Sequence, residues 1–245
     1  MRFVGAVVAT AVLLALAGQT RAQTTDLLLV LAADVSRSID ETEFALQRKG
    51  YSAAVTDPRV LAVIRGGATG SIAICFVEWS GAGEQNVVAD WTVIHDEEDA
   101  GGFAAAILAA PRSFIGRTSI SGAIDFAMER FAAAGPHANR RIIDISGDGT
   151  NNSGRPVTDA RDQAVAQGVT INGLAIINDK PNPGYAFHTQ PPGGLPEWYR
   201  QNVIGGPGAF LRVVEDFHSF ADAMTNKLVS EIAAASGRRL AASSR

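Results

Sequence analysis

The chain has 245 residues, a formal net charge of −4 and a single cysteine, Cys75. This length suits one α/β domain with a substantial core, so we expect a single folded domain. No lysine-rich or arginine-rich run is present, which argues against nucleic acid as a partner. A lone cysteine excludes a disulfide framework, and its apolar neighbours predict a buried, unreactive thiol.

The first 22 residues have the pattern of a secretory signal peptide. Arg2 precedes an apolar run over residues 3–17, and a cleavage position follows at Ala22. The run is shorter than the roughly 20 residues that span a bilayer. We therefore expect a periplasmic or secreted protein with no membrane span in the mature chain.

Apolar patterning along the remaining sequence predicts alternating strands and helices. Continuous apolar runs indicate strands buried on both faces of a parallel sheet, and apolar residues at helical spacing indicate the helices between them. The predicted elements are, in chain order, a strand over 26–33, a helix over 41–55, strands over 71–79 and 86–95, helices over 97–110 and 119–134, a strand over 140–146, a helix over 158–167, strands over 169–177 and 209–214, and a helix over 217–235. Residues 236–245 are expected to form a flexible tail.

This order predicts an open, doubly wound α/β fold, with helices on both faces of a mostly parallel sheet. A glycine-containing turn over 80–83 joins the strands over 71–79 and 86–95 as a hairpin. The second of these strands is therefore expected to be antiparallel and to lie at a sheet edge. In such folds ligands bind beyond the carboxyl ends of the strands, so we expect a functional site there.

Asp34, Ser36 and Ser38 directly follow the first predicted strand. One carboxylate and two hydroxyls suit a hard cation such as Mg²⁺, which prefers oxygen ligands. A capped strand-to-helix turn explains the same residues equally well, because Ser38 lies three residues before Glu41, as in a capping box. By themselves, these three residues leave both interpretations open.

Two further segments bring oxygen-bearing side chains to the same edge of the predicted sheet. Thr118 opens the helix over 119–134, and Asp148 lies in a Ser-Gly-Asp-Gly sequence after the strand over 140–146. Taken separately, Thr118 is most simply a helix N-cap and Asp148 a turn residue. The sequence Asn-Asn-Ser over 151–153 is formally a glycosylation acceptor, but we expect it to belong to the loop after Asp148.

Together these residues resemble the von Willebrand factor A domain and its metal-ion-dependent adhesion site. The resemblance covers residues 26–235 and lies in the Asp-x-Ser-x-Ser triplet, in a threonine followed by Ala123 and Ile124, and in an Asp-Gly pair ending the fourth strand. It implies a site for Mg²⁺ or Mn²⁺. The implied direct ligands are Ser36, Ser38 and Thr118, and the residues implied to act through water are Asp34 and Asp148.

The resemblance implies a protein-binding module for adhesion or assembly, and it does not imply catalysis. Neutral hydroxyl ligands leave the metal a strong positive field and an open coordination position, which a carboxylate from a protein partner can fill. The pattern is most similar to a bacterial, signal-bearing branch of the superfamily whose function is not defined.

Two alternatives stay open, a metal-dependent hydrolase such as a phosphohydrolase and a purely structural metal site. Against a hydrolase, Asp34-Val35-Ser36 lacks the second aspartate of the haloacid-dehalogenase nucleophile motif. The sequence also has no Gly-x-Ser-x-Gly elbow and no phosphate-binding Gly-x-x-x-x-Gly-Lys loop.

Residues 178–208 are predicted to form a long loop rich in proline and glycine, which departs from the better-known family members. It contains Tyr185, His188, Trp198 and Tyr199. Because it follows a strand whose carboxyl end faces the predicted metal side, one interpretation is a lid or partner surface. The other is a surface loop whose aromatic residues cover the local core. The chain's four histidines show no pair at zinc-ligand spacing, so we expect structural or solvated roles for them.

Overall fold

A computed structural model of the chain describes residues 23–177 and 186–242. The predicted signal peptide, Tyr185 and residues 243–245 lie outside this part. The strands are β1 (Leu28–Asp34), β2 (Ile72–Trp79), β3 (Gln85–Ile94), β4 (Arg141–Gly147), β5 (Val169–Ile176) and β6 (Leu211–Val214). The helices are α1 (Glu41–Thr56), α2 (Pro58–Arg65), α3 (Glu97–Ala109), α4 (Ile120–Ala132), α5 (Val157–Ala166), α6 (Ala186–Thr189), α7 (Leu195–Asn202) and α8 (Phe220–Ala242).

The strands form one sheet in the order β3-β2-β1-β4-β5-β6. Every neighbouring pair is parallel except β2 with β3, so β3 is an antiparallel edge strand. This confirms the predicted doubly wound, mostly parallel fold. Strand β1 lies in the centre, and the chain leaves it in one direction towards β2 and returns on its other side at β4. The carboxyl ends of β1 and β4 therefore meet at the switch point, where such sheets bind ligands.

Two hydrophobic cores cover the two faces of the sheet. Side chains alternate along a strand, so Leu29 and Leu31 of β1 belong to the core under α1 and α8, while Leu28 and Val30 belong to the core under α4 and α5. Every residue of β1 is buried, which explains its continuous apolar sequence. Cys75 of β2 is buried as predicted, and burial raises the pKa of its thiol to about 12. None of the described helices is long and apolar enough to cross a membrane.

Helix α2 was not predicted, although its sequence carries the signals of a helix. Asp57 caps its first turn by accepting a hydrogen bond from the Arg59 amide, and Pro58 occupies the first position, where proline is tolerated. The buried residues Val60, Leu61 and Ile64 recur at helical spacing. The element was missed because it follows α1 without a loop.

The segment over 178–208 was predicted as a long loop, and this was wrong for its described part, which contains α6 and α7. Helix α7 begins with Leu195 and Pro196 and buries Leu195 and Tyr199 against the core under α4 and α5. Proline at a helix start is compatible with helical geometry, so the proline content did not exclude a helix. Helix α8 continues to Ala242, past the predicted end near residue 235, so part of the predicted tail is helical.

A buried cluster of charged residues ties α8 to the middle of the sheet. Lys227 Nζ lies 2.6 Å from Asp144 Oδ1 on β4 and 2.5 Å from Glu231 Oε1 on α8, and all three side chains are buried. Asn172 Nδ2 on β5 donates a 2.7 Å hydrogen bond to the same Glu231 oxygen. Burial, and then the charge of Glu231, raises the pKa of Asp144 to about 7. The cluster holds α8 against the strand that leads to Asp148.

We expect Lys227→Ala to lower the free energy of unfolding by about 3–5 kcal/mol, because it leaves two buried carboxylates without their cation. Urea denaturation measures this change. The matched control is Lys49→Ala, the same substitution at an exposed lysine of α1, which should change stability by less than about 0.5 kcal/mol. Equal effects of the two substitutions would contradict a structural role for the cluster.

Candidate metal centre

Four of the five predicted site residues form one hydrogen-bonded group beyond the ends of β1 and β4. The Ser36 amide donates to Asp34 Oδ1 at 2.7 Å, and the hydroxyls of Ser36 and Ser38 lie 3.2 Å apart. Ser38 Oγ donates to Asp148 Oδ1 at 2.6 Å, across 110 positions of the sequence. Thr118 lies in an adjoining loop that is joined to this group by the Arg37 amide, which donates to the Gly116 carbonyl at 3.0 Å.

The helix caps in the structure differ from those that the sequence suggested. Asp40 caps α1 and forms the capping box with Glu43, so the proposed box between Ser38 and Glu41 was wrong. Ser119 caps α4 by accepting from the Gly122 amide, so Thr118 is not the cap. In both helices the cap lies one or two residues beyond the predicted position. The hydroxyls of Ser38 and Thr118 therefore remain available for other contacts.

Asp34 is completely buried at the end of β1. Its Oδ2 atom has no hydrogen-bond partner within the described part of the chain. Burial, followed by the nearby charge of Asp148, raises the pKa of Asp34 well above its ordinary value. Two carboxylates that repel each other in a buried site favour an added cation between or beside them.

Tyr199 of α7 closes one side of the space around Asp34. A Cβ atom on Gly147 would lie 2.8 Å from the Tyr199 hydroxyl and 2.9 Å from Asp34 Oδ2, so glycine leaves room for both oxygens. The tyrosine is buried, and its hydroxyl makes no hydrogen bond to the described residues. Its pKa is raised well above the ordinary value, chiefly by burial and then by the charge of Asp34. Asp34 Oδ2 and the Tyr199 hydroxyl, which have no hydrogen-bond partner among the described residues, therefore both lie next to Gly147.

Arg112 fixes the loop that carries the serines, although the sequence did not single it out. Its Nη2 donates to the carbonyls of Val35, Ser36 and Ile39 at 2.9, 3.0 and 2.8 Å. The residue preceding it, Pro111, has its carbonyl bound by Arg48 at 3.1 Å. Arg48 is in turn paired with the buried carboxylate of Glu78 at the end of β2.

The loop after Asp148 fixes Thr118. Asn152 Oδ1 accepts from the Thr118 amide at 3.0 Å, and the amides of Asn152 and Ser153 donate to the Thr118 carbonyl at 2.9 and 3.1 Å. Asn151 Oδ1 accepts from the Ser121 amide in the first turn of α4 at 3.0 Å. These asparagines thus belong to the site loop, as expected, and connect Thr118 to the segment that carries Asp148.

His188 of α6 also reaches the site, and sequence reasoning missed it. Its Nε2 atom lies 2.9 Å from Thr118 Oγ1, and its Nδ1 atom lies 3.1 Å from Thr150 Oγ1. Burial, followed by the charge of Arg117, lowers the pKa of His188 to about 4, so the ring is neutral at neutral pH. The position of His188 in a proline-rich segment was the only available signal, because no second histidine lies at ligand spacing.

The donor set fits a divalent cation. Neighbouring ligands of an octahedral ion with bonds of about 2.1 Å lie roughly 3 Å apart, close to the 3.2 Å between the hydroxyls of Ser36 and Ser38. No group of three or more His, Cys, Asp or Glu suited to a metal occurs in residues 23–177 and 186–242.

Solved structures with the same fold share little sequence with this chain. Proximal thread matrix protein 1 from the mussel byssus has a TM-score of 0.62 and 15% identity, over 85% of this chain and 48% of that one. A von Willebrand factor type A structure from Catenulispora acidiphila has a TM-score of 0.58 and 15% identity, over 86% of this chain and 43% of that one. The pilus adhesin SpaC from Lactobacillus rhamnosus GG has a TM-score of 0.58 and 15% identity, over 87% of this chain and 30% of that one.

This chain thus spans about half of the mussel protein's length and less of the other two. The mussel protein is also known with zinc occupying its metal-ion-dependent adhesion site (MIDAS) motif. No curated protein matches the chain in sequence.

The sheet order, the antiparallel edge strand and the helices on both faces define a fold of the von Willebrand factor A class, as the sequence resemblance implied. Within that class, the chain belongs to the family described as "Protein of unknown function (DUF1194)", whose profile matches residues 24–236.

We expect Arg112→Ala to loosen the serine loop, because three backbone carbonyls each lose a hydrogen bond from the guanidinium. The free energy of unfolding should fall by about 1–3 kcal/mol, and amide hydrogen exchange over residues 35–39 should become faster. Arg65→Ala, which removes an exposed ion pair with Glu97, should leave both measurements nearly unchanged. Unaltered exchange over 35–39 in Arg112→Ala would show that the guanidinium does not hold the loop.

Proposed function

We propose that the protein is an exported, metal-dependent protein-binding module for adhesion or assembly. In this proposal Ser36, Ser38 and Thr118 bind Mg²⁺, Mn²⁺ or a related divalent ion directly, and Asp34 and Asp148 act through water. The observation that carries the proposal is the position of the helix caps. Because Asp40 and Ser119 cap the adjacent helices, capping accounts neither for the Ser38 hydroxyl, which donates to the buried carboxylate of Asp148, nor for the Thr118 hydroxyl in the adjoining loop.

A bound cation would supply a point of strong positive charge at the carboxyl edge of the sheet. The proposed direct ligands are uncharged, so they neutralise little of that charge. Asp34 and Asp148 would orient water and stabilise the cation from slightly further away. A carboxylate side chain of a partner would then bind in the remaining coordination position.

The surface around the site suits a partner with acidic residues. Arg37 and Arg117 are exposed on the two loops that flank the proposed ligands, and Ile115 is 61% exposed on the same loop as Arg117. Basic side chains beside an exposed apolar residue favour an acidic segment with some apolar surface. Arg117 is held by its hydrogen bond to the Asn152 carbonyl at 2.7 Å, so its charge has a defined position.

Similar solved structures support the same proposal. They include a matrix protein with a zinc-occupied MIDAS motif and a pilus adhesin, and those descriptions apply to the proteins concerned. The signal-peptide pattern of residues 1–22 supports export to the periplasm or beyond. We propose no enzymatic role for this site.

Metal binding can be tested by thermal unfolding of the mature chain with Mg²⁺ or Mn²⁺ and with chelator. At a concentration 100 times the dissociation constant, the metal should stabilise the wild type by about 2.7 kcal/mol. Asp34→Ala and Thr118→Ala should lose this stabilisation, while Thr56→Ala, at an exposed position at the far end of α1, should keep it. Equal stabilisation of all four proteins would refute the proposed ligands.

Partner binding can be tested by capture from a periplasmic extract on the immobilised protein. Wild type should retain specific proteins in Mg²⁺ or Mn²⁺ and release them on chelation. Ser36→Ala should fail to retain them, and Ser230→Ala on α8 should behave as wild type. Retention that is independent of metal would rule out a metal bridge, and turnover of a phosphate ester that is lost in Ser36→Ala would favour the hydrolase.

A further inference from the structure

We propose that His188 is an additional direct ligand of the metal, and that its nitrogen makes the site prefer Zn²⁺ or a similar borderline ion to Mg²⁺. The inference rests on the proposed function, because it concerns the same site. Its starting point is the 2.9 Å distance between His188 Nε2 and Oγ1 of Thr118, one of the proposed direct ligands.

The imidazole of His188 is held in place from the loop that carries Asp148. The Thr150 amide donates to the His188 carbonyl at 3.1 Å, and the Thr150 hydroxyl lies 3.1 Å from Nδ1 of the ring. One residue thus fixes both the backbone and the ring of His188. Thr150 is two residues after Asp148, so the ring is tied to the segment that completes the proposed site.

Gly149 makes this approach of the ring possible. A Cβ atom at position 149 would lie 2.1 Å from His188 Nε2, well inside any allowed contact distance. Every other residue type would therefore displace the imidazole from its present position. A glycine between Asp148 and Thr150 allows the ring to lie directly over the loop.

The hydrogen bond at Nδ1 determines what Nε2 can do. When Nδ1–H donates to Thr150 Oγ1, Nε2 presents its lone pair towards Thr118. Histidine ligands of metals commonly have this arrangement, in which the second ring nitrogen donates to an oxygen acceptor that fixes the tautomer and the ring orientation.

The distances also suit shared coordination. Two ligands on adjacent positions of a six-coordinate ion with bonds of about 2.1 Å lie roughly 3 Å apart, which agrees with the 2.9 Å between His188 Nε2 and Thr118 Oγ1. Three hydroxyls and one imidazole would leave two of six positions for water and a partner carboxylate. Imidazole favours Zn²⁺ and related ions, whereas Mg²⁺ prefers oxygen.

An alternative explanation is that the ring only covers the site through its hydrogen bond to Thr118. The two explanations predict opposite results for His188→Ala. A ligand contributes to metal affinity, and its removal should weaken the binding of Zn²⁺ far more than that of Mg²⁺. A ring that only covers the site would hinder the entry of every ion. Its removal should therefore strengthen the binding of both Zn²⁺ and Mg²⁺.

The test is calorimetric titration of the mature chain with Zn²⁺ and with Mg²⁺ separately. His188→Ala should lose at least about tenfold in Zn²⁺ affinity, a loss seen even when an outer partner of a metal site is removed. Its Mg²⁺ affinity should change by less than about threefold. Gly149→Ala should show the same selective loss by displacing the ring. The control His137→Ala removes an exposed histidine near the start of β4, at the opposite end of the sheet, and should match the wild type.

A spectroscopic readout separates ligation from a general loosening of the site. Co²⁺ in place of Zn²⁺ should give a visible absorption spectrum that changes in His188→Ala and not in His137→Ala. Unchanged spectra and affinities in His188→Ala, or tighter binding of both ions, would overturn the inference. If His188→Ala gives such a result while Thr118→Ala abolishes metal binding, the inference about His188 is wrong and the proposed function still stands. If the wild type binds no divalent ion, both fail.

Discussion

The candidate site depends on a carboxylate that has no access to solvent. Asp34 ends the central strand of the sheet, and one of its oxygens lacks a partner among the described residues while Asp148 lies close by. A buried carboxylate in this situation is unfavourable unless it is protonated or compensated by a positive group. A cation at the carboxyl edge of the sheet would provide that compensation, and the surrounding hydroxyls have the chemistry to hold one.

Charged and amide side chains from outside the motif give the site its shape. Arg112 binds three carbonyls of the serine loop, and the pair of Arg48 with Glu78 fixes the segment from which Arg112 extends. Asn152 holds the backbone of Thr118 from the loop after Asp148. Preorganisation of this kind lowers the cost of ordering ligands when a cation binds, because the loops are already in place.

The segment that contains α6 and α7 supplies two polar side chains to the same region. Tyr199 lies against Gly147 and Asp34, and His188 lies against Gly149 and Thr118. Each side chain therefore approaches the backbone closely at a glycine, one at the end of β4 and one just after it. The segment thus contributes both core packing by α7 and a contact at the site by α6. The sequence left two interpretations of this segment open, a lid or partner surface and a surface loop whose aromatic residues cover the local core. The burial of Tyr199 agrees with the second, and the lid or partner surface stays a prediction.

The sequence by itself determined the doubly wound fold and its antiparallel edge strand, because apolar periodicity and turn signals are local properties of the chain. The five candidate site residues came from the resemblance to the von Willebrand factor A domain, and their role as ligands stays a prediction. The sequence misplaced the helix caps at Ser38 and Thr118, since Asp40 and Ser119 satisfy the same local rule and only the exact path of the backbone selects between neighbours. It could not reveal His188 or Arg112. These side chains lie 70 positions from Thr118 and 76 from Ser36, and only tertiary packing brings such distant residues within hydrogen-bond distance.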